Sequence, residues 1–353
     1  MNIVYGVQGT GNGHLTRGLA LIPKLRSQGH NVRVVISGRK KDTLFGVESL
    51  EPFETFEGLS FEVKKGKINY IKSFSNLRLL KFFRDVRQFN LENIDLVITD
   101  FEPVTAWAAK FNKVNSIGIG HQYAFSYDIP MAGENFITKL ILKTFAPANI
   151  NIGVHWHHFD QPIVPPILPF INRNNNKPIS KKILVYLPFE DLNDIVELLK
   201  PFKNNSFYVY HDIEKPKTIG NINLKPFSRS GFEDDLLSSE KVLCNAGFEL
   251  PSESLILGKN ILLKPLIGQM EQLSNAEAMK RLNWGYVMND LNPKIISEWI
   301  DQPPSNPVSY PDTAQSIVEW INSKSFNNID LSLIHICRCR RRLRCRSRWS
   351  AYH

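Results

Sequence analysis

A glycine-rich loop near the amino terminus constrains the fold more than any other stretch of the chain. The apolar run 3–7 is followed by glycines at alternate positions, Gly9, Gly11 and Gly13, and then by His14. Leucines and an isoleucine at helical spacing come next, and Gly29 fits the C-terminal glycine of that helix. Because glycine has no Cβ atom, such a loop can turn tightly and bring backbone N–H groups close to a bulky or anionic ligand. The order of strand, glycine loop and helix predicts the opening unit of a nucleotide-handling α/β domain.

Polar residues follow the next predicted strands of this unit. Asp100 and Glu102 come after the apolar run 94–99, and His121 comes after the run 116–119. The carboxyl ends of parallel strands meet at one edge of a sheet, and open α/β sheets bind ligands there. We therefore expect His14 and Asp100 to face the same crevice. The predicted cleft residues around them are Gly9, Thr10, Gly11, Asn12, Gly13, Glu102 and His121.

The length of 353 residues predicts two domains, because a single hydrophobic core rarely grows beyond ~250–300 residues. A proline-rich stretch at 162–169 and a polar stretch at 172–182 separate two regions in which strand patterns alternate with helical ones. The predicted fold class is α/β, with two Rossmann-like domains, each a doubly wound parallel sheet, facing a cleft. The predicted divisions are an N-terminal domain at 1–165, a linker at 166–181, a C-terminal domain at 182–311, a closing helix at 312–330 that returns towards the N-terminal domain, and a basic tail at 331–353.

A second candidate site follows the predicted strand 241–244. The residues after it contain Gly247 and then Pro251, which fits the first position of a helix. A glycine turn before a helix N-terminus offers unpaired N–H groups and the positive end of the helix dipole, which suit a diphosphate. Glu253 in the first turn could accept hydrogen bonds from ribose hydroxyls, or it could merely stabilise the dipole. Glu271, Gln272 and Asn275, on neighbouring turns at the start of a later helix, form a group able to read sugar hydroxyls.

The basic charge of the chain is concentrated at its carboxyl terminus. Seven arginines and no acidic residue lie in 331–353, and without these arginines the net charge falls from +9 to +2. The nearly balanced remainder argues against nucleic acid as a partner. The stretch Leu331–Ile336 resembles a translated sequencing adapter, so we interpret the tail as non-native. An arginine-rich arm for nucleic acid or acidic lipid is the alternative.

Several features of the sequence bear on where in the cell the protein is located. No stretch reaches the ~18–20 apolar residues of a membrane span, and the amino terminus has no charged-then-apolar signal region, so we expect a cytoplasmic protein. The segment 64–87 interleaves eight basic residues with aromatic and aliphatic ones. We interpret it first as an amphipathic helix with a solvated basic face. The alternative is contact with anionic lipid at the inner face of the plasma membrane or with a lipid-linked acceptor, an idea that the segment Phe136–Phe145 supports weakly.

Two other kinds of site have some support in the sequence. Arg39 follows the strand 32–36 where a dinucleotide-binding unit usually has an acidic residue, so an NADP-dependent oxidoreductase is an alternative. His155, His157 and His158 have no cysteine nearby, and we interpret them as ordinary strand histidines rather than a zinc site. The chain also has no Asp-x-Asp motif. We therefore expect neither a metal nor another cofactor.

The motifs at both sites resemble those of the two-domain glycosyltransferases of the GT-B fold. The similarity covers about residues 1–322 and is most specific in the runs 9–14, 246–249, 253–255 and 271–276 and at Gly258. The chain is similar to the group that contains the lipid II N-acetylglucosaminyltransferase and the UDP-glucuronosyl and macrolide transferases, and most similar to a bacterial and archaeal branch of it. Ala246 and Glu271 depart from the residues that are usual in that group.

This resemblance implies roles for the residues of both sites. Donor binding falls to Gly247 and Phe248 near the phosphates, with Glu249 beside them, to Glu253 at the ribose, and to Glu271, Gln272 and Asn275 at the hexose. His14 is the implied base and Asp100 the residue that orients it. The implied function is inverting, metal-independent transfer of a hexose-type sugar from a nucleotide sugar, UDP by expectation, to an acceptor hydroxyl. A non-catalytic nucleotide-sugar-binding protein or a sugar epimerase of the same fold is the other alternative.

Overall fold

The computed structural model describes residues 1–44, 46–59, 63–64, 67–68, 79–134, 136–169 and 178–323. Two seven-stranded sheets organise these residues. The strands of the first sheet are β1 Asn2–Gln8, β2 Asn31–Ser37, β3 Phe53–Phe56, β6 Leu96–Asp100, β7 Ser116–Gly120, β8 Ile150–Val154 and β9 Ile163–Val164. A separate antiparallel pair consists of β4 Val63–Lys64 and β5 Lys67–Ile68.

The strands of the second sheet are β10 Lys182–Tyr186, β11 Ser206–Tyr210, β12 Lys217–Ile219, β13 Ile222–Lys225, β14 Lys241–Asn245, β15 Asn260–Lys264 and β16 Tyr286–Val287. The first sheet has the order β3-β2-β1-β6-β7-β8-β9, and every neighbouring pair in it is parallel. The second has the order β12-β13-β11-β10-β14-β15-β16, and only its edge strand β12 is antiparallel to its neighbour. Both sheets are therefore of the Rossmann-like kind that the alternating pattern predicted.

Helices cover the faces of these sheets. Those associated with the first sheet are α1 Asn12–Ser27, α2 Leu79–Gln88, α3 Pro103–Asn112, α4 His121–Ala124 and α5 Phe136–Thr144. Those that follow along the chain are α6 Leu192–Leu199, α7 Arg229–Ser238, α8 Glu249–Ile256, α9 Met270–Leu282, α10 Pro293–Ile300 and α11 Thr313–Asn322. Within the described part of the chain, no helix is long and apolar enough to cross a membrane.

The central strands are buried on both faces, which explains their nearly continuous apolar sequences. In β1, for example, Ile3, Val4, Tyr5 and Val7 have no exposed surface. The register pairs Val7 of β1 with Asp100 of β6, so the ends of these two strands lie side by side. The sheet thereby brings the glycine-rich loop next to Asp100.

The last described helix returns to the N-terminal half of the molecule. On its buried face, Ile317 and Ile321 of α11 belong to the same apolar cluster as Leu21 and Leu25 of α1. Polar contacts at the rim join Lys24 to Asp312 at 3.0 Å and His30 to Asn322 at 2.7 Å. The predicted basic tail lies outside the described residues, as does most of the basic segment before α2.

Candidate active site

His14 and Asp100 meet at the carboxyl edge of the first sheet. His14 lies in the first turn of α1, which begins at Asn12, and Asp100 is the last residue of β6. The imidazole Nδ1 is 2.8 Å from Asp100 Oδ1. The carboxylate is fully buried, whereas the His14 side chain keeps 12 % of its surface exposed. The structure therefore brings together the two residues that the sequence assigned to one crevice.

A buried arginine, which the sequence analysis missed, completes this pair. Arg17 Nε donates to Asp100 Oδ2 and Nη2 donates to Oδ1, both at 2.7 Å. Burial by itself raises the pKa of Asp100, but the positive charge of Arg17 and the hydrogen bonds from Arg17 and His14 outweigh it, and the pKa is lowered overall. Arg17 lies three residues after His14, a spacing that puts both side chains on one face of a helix. That spacing was the available signal.

Arg17 also reaches the other half of the molecule. Its Nη1 donates to Glu249 Oε1, at the first residue of α8. Glu249 is buried, and this burial raises its pKa to about 8, with Arg17 opposing the shift and Asp100 adding to it. Gly13 packs directly against Glu249, since a Cβ atom on Gly13 would lie 2.6 Å from Glu249 Cγ. Glu249, predicted to bind the donor, is thus engaged with the glycine-rich loop and α1.

The start of α8 differs from the prediction. The helix begins at Glu249, so Pro251 occupies its third position rather than the first. The N–H groups of the first turn have no partner within the helix, and the positive end of its dipole points towards the turn at Gly247. A Cβ atom on Gly247 would meet no other atom within 4 Å, so open space lies next to this helix end.

Phe248 does not point into that space. Its ring stacks on His121, with centroids 4.1 Å apart, and on Trp156, with centroids 5.3 Å apart. Trp156 Nε1 donates in turn to Ser252 Oγ of α8 at 2.7 Å. The side chain of Phe248 therefore joins the two domains, and only its backbone can approach a phosphate group.

Glu253 lies one turn further along α8 and is partly buried. Burial raises its pKa to about 7, with Arg229 lowering it and Glu233 raising it. This carboxyl group changes its charge near neutral pH, which bears on the predicted role at the ribose.

The three residues predicted to read the sugar lie at the start of α9, but each of them is hydrogen-bonded to another group of the protein. Glu271 accepts a hydrogen bond from Gln122 Nε2 at 3.0 Å. The buried Gln272 accepts one from the backbone N–H of Leu266 at 3.0 Å. The buried Asn275 contacts His121 Nε2 at 2.7 Å and donates to the carbonyl oxygen of Ala246. Only Glu271 keeps part of its surface exposed.

Two of the predicted cleft residues are inaccessible to a ligand. Glu102 is fully buried and caps α3, accepting from the N–H groups of Val104 and Thr105 and from the hydroxyl groups of Ser37 and Thr105. His121 is also fully buried, and its burial lowers its pKa. The expectation that Glu102 and His121 line the cleft fails because the first residues after a strand often satisfy the next helix or a neighbouring domain.

Most of the remaining loop residues lie at the surface, whereas Gly9 is buried. Thr10 and Asn12 are exposed, Gly11 is partly exposed, and the N–H of Gly9 donates to the carbonyl oxygen of Ser37 at 2.6 Å. Arg39 donates to Asn12 Oδ1 at 3.1 Å. Among the described residues, no group of three or more His, Cys, Asp and Glu side chains is arranged to hold a metal ion, and His155 is buried in an aromatic cluster.

The two facing Rossmann-like domains place this protein among the proteins of GT-B fold. The family model for glycosyl transferase family 1 matches residues 1–304, and the chain belongs to that family. The protein is therefore a glycosyltransferase. A search of curated protein sequences gave no match.

Solved structures show the same fold at low sequence identity. The glycosyltransferase of kitacinnamycin is 13% identical, with a TM-score of 0.61 and coverage of 97% of this chain and 98% of that chain. Arabidopsis thaliana UGT89C1, complexed with UDP, is 14% identical, with a TM-score of 0.59 and coverage of 95% and 99%. MurG of Acinetobacter baumannii is 16% identical, with a TM-score of 0.54 and coverage of 91% and 99%. These identities show the fold of the chain but not its substrates.

Proposed function

We propose that this glycosyltransferase moves a hexose-type sugar from a UDP sugar to an acceptor hydroxyl group, with inversion at the anomeric carbon and without a metal ion. One observation carries the proposal: the loop that holds His14 packs against the N-terminus of α8, through Gly13 and Glu249. The proposed base and the proposed anion-binding helix end therefore lie close together, one on each side of the contact between the two domains. Transfer from a sugar diphosphate needs both groups at the same reaction centre.

His14 supplies the base in this mechanism. As the acceptor oxygen attacks the anomeric carbon, its proton passes to the imidazole, and the bond from that carbon to the diphosphate oxygen breaks. Asp100 orients the ring and stabilises the imidazolium that forms, since its carboxylate lies 2.8 Å from Nδ1. Attack from the side opposite to the leaving group inverts the anomeric centre.

The N-terminus of α8 supports the leaving diphosphate. Its first-turn N–H groups can donate hydrogen bonds to the developing negative charge, and the positive end of the helix dipole stabilises that charge without proton transfer. The open space at Gly247 leaves room for the diphosphate. The choice of UDP rests on the UDP-complexed structure of the same fold. Glu253 is the proposed partner of the ribose hydroxyls, and Glu271 the proposed contact to the sugar.

The decisive experiment measures nucleotide release from a panel of UDP and dTDP sugars, with and without candidate acceptors. We expect release from one or a few UDP-hexoses, stimulated by an acceptor and unchanged by EDTA, and a product of inverted anomeric configuration by proton NMR. Binding without release would indicate a nucleotide-sugar-binding protein, and donor isomerisation would indicate an epimerase. The family match argues against the NADP-dependent alternative.

A lipid-linked or cell-envelope acceptor is the proposed second substrate, with peripheral contact to an anionic membrane. The outer side of α2 supports it. Leu80 is 89 % exposed and Phe83 is 45 % exposed, and the neighbouring Arg84 and Arg87 are exposed as well. Apolar and basic side chains on one exposed helix face fit the interface of an anionic lipid bilayer.

A further inference from the structure

Three polar atoms at the site lie at the corners of a nearly equilateral triangle. His14 Nδ1 is 2.8 Å from Asp100 Oδ1 and 2.8 Å from Arg17 Nη2, and Arg17 Nη2 is 2.7 Å from Asp100 Oδ1. A ring nitrogen that carries a proton can donate to Asp100 but cannot accept from Arg17. A ring nitrogen without a proton can accept from Arg17 but then faces the lone pairs of the carboxylate. Asp100 and Arg17 therefore favour opposite tautomers of His14.

The tautomer decides whether His14 can act as the base. With the proton on Nδ1, the lone pair of Nε2 is free to take a proton from an acceptor. With the proton on Nε2, that capacity is lost. The position of Arg17 relative to Nδ1 consequently bears on the reaction, although Arg17 itself is 2 % exposed and does not border the open cleft.

Glu249 holds Arg17 in this position from the opposite domain. The guanidinium group contacts Asp100 through Nε and Nη2 and Glu249 through Nη1, so all three of its nitrogens are used. Two buried carboxyl groups share one guanidinium group, and losing the contact at either end would change the balance of forces on it. The other ionisable groups that act on the cluster include Tyr5, Tyr123 and His121, all buried, and the partly buried Glu253.

We propose that Arg17 is a positioning residue that controls the tautomer of His14, and that Glu249 makes this control depend on contact between the two domains. The inference rests on the proposed role of His14 as the base. Because α8 also carries the proposed diphosphate site, the same helix contacts the leaving group and the arginine that influences the tautomer of the base.

The test compares 15N–1H correlation spectra of 15N-histidine-labelled wild type, Arg17→Met and Glu249→Gln at a pH above about 8, where Glu249 of the wild type is ionised. His14→Gln identifies the His14 signals. Without Arg17, Asp100 alone contacts Nδ1, so we expect both nitrogen signals to move towards the form with the proton on Nδ1. Glu249→Gln, which keeps the shape of the side chain, should move them in the same direction by less. Unchanged His14 signals in the folded variants would overturn the proposal.

The matched control is Arg26→Met. It removes another arginine of α1, whose contacts are with backbone carbonyl oxygens, those of Val32, Ser49, Leu50 and Glu51. It should leave the His14 signals where they are. If Arg26→Met moved them as far as Arg17→Met does, the effect would be a general one of helix loosening and the proposal would fall.

A kinetic arm uses Arg17→Lys, because a lysine keeps the charge but cannot hold three acceptors in one plane. Losing these contacts moves His14 towards the tautomer with the proton on Nδ1, which can act as the base. We therefore expect kcat per folded molecule to rise, at most by the inverse of the fraction of wild-type His14 in that tautomer, with the donor KM within about twofold of wild type. A lower Tm with unchanged kcat would reduce Arg17 to a purely structural role. If the wild type transfers no sugar, the proposed function fails, while the spectra still decide the role of Arg17.

Discussion

The imidazole of His14 is the most exposed side chain of its cluster, at 12 %, compared with 9 % for Glu249, 2 % for Arg17 and 0 % for Asp100. We predict that His14→Ala lowers kcat by ~10²–10⁴-fold, since the variant lacks the base but retains the donor site. The measurement is nucleotide release at saturating donor and acceptor.

A second histidine of the same region is the control. His30 lies beyond the other end of α1, where it contacts the terminal amino group and Asn322. His30→Ala should keep kcat within about twofold of wild type. Near-normal turnover by His14→Ala would contradict its assignment as the base.

Glu253 leads to a prediction about pH. Its raised pKa of about 7 means that the folded protein binds a proton on this group below pH 7, whereas the proposed ribose contact uses the carboxylate. The donor KM should therefore rise by up to about tenfold per pH unit as the pH falls below 7. Glu253→Gln should have a higher KM at pH 8 and lose this dependence. A wild-type KM that stays flat between pH 8 and 6 would contradict the ribose role.

At the level of single residues, sequence patterns located the site better than they assigned its contacts. His14 and Asp100 were paired correctly because parallel strands must end at a common edge. Arg17 and Glu249 were not paired, since they are 232 residues apart and meet only through the packing of one domain on the other. The buried cap made by Glu102 was missed for another reason: an acidic residue after a strand looks the same in sequence whether it faces a ligand or a helix N-terminus.

Among the elements, α2 has one buried side and one exposed side. Phe82 and Val86 pack into the core, while Leu80 and Phe83 face outwards. We predict that the protein binds vesicles of phosphatidylcholine with phosphatidylglycerol and that Leu80→Glu weakens this binding about tenfold or more. Burying one leucine contributes ~1.5–3 kcal/mol, and an added acidic group is repelled by the anionic surface. Vesicle co-sedimentation measures the binding of the wild type and of Leu80→Glu.

Phe111→Glu is the matched control for that experiment. Phe111 lies near the end of α3 and is 53 % exposed, so the change in hydrophobicity and charge is comparable. It should not affect binding. Equal losses for the two variants would indicate non-specific adsorption, and absence of binding by the wild type would remove the membrane contact from the proposal.

The boundaries of elements depended on local signals of different strength. Pro103 marks the start of α3 as predicted, because Glu102 before it accepts from the first free N–H groups. Pro251 gave the wrong start for α8, since the helix gains two residues once Phe248 is fixed by its ring contacts with His121 and Trp156. Those contacts are made with the other domain, and no local pattern reports them.

For the whole molecule, the return of α11 to α1 makes the end of the described chain part of the N-terminal core. We predict that Ile317→Ala lowers the free energy of unfolding by ~2–5 kcal/mol and lowers the Tm, because removing the buried side chain leaves a cavity.

Deleting residues 331–353 should leave Tm and turnover unchanged. A large loss of either on deletion would show that the tail is native and contributes to the fold.

The architecture as a whole was accessible from sequence because two sets of buried parallel strands leave little choice of topology. The relative placement of the two domains was not, and it rests on specific bonds such as those of Trp156 to Ser252 and His121 to Asn275. Each of these bonds joins residues that are far apart in sequence, and no sequence pattern pairs them.

The hydrogen bond between Gln122 and Glu271 has a consequence for any redesign of the donor preference. Glu271 is the proposed contact to the sugar, yet the same carboxylate ties α9 to the other domain. A substitution intended to admit a different sugar would therefore also alter how readily the cleft opens to release product. Directed evolution of this enzyme should succeed faster when positions 122 and 271 are varied together than when either is varied alone.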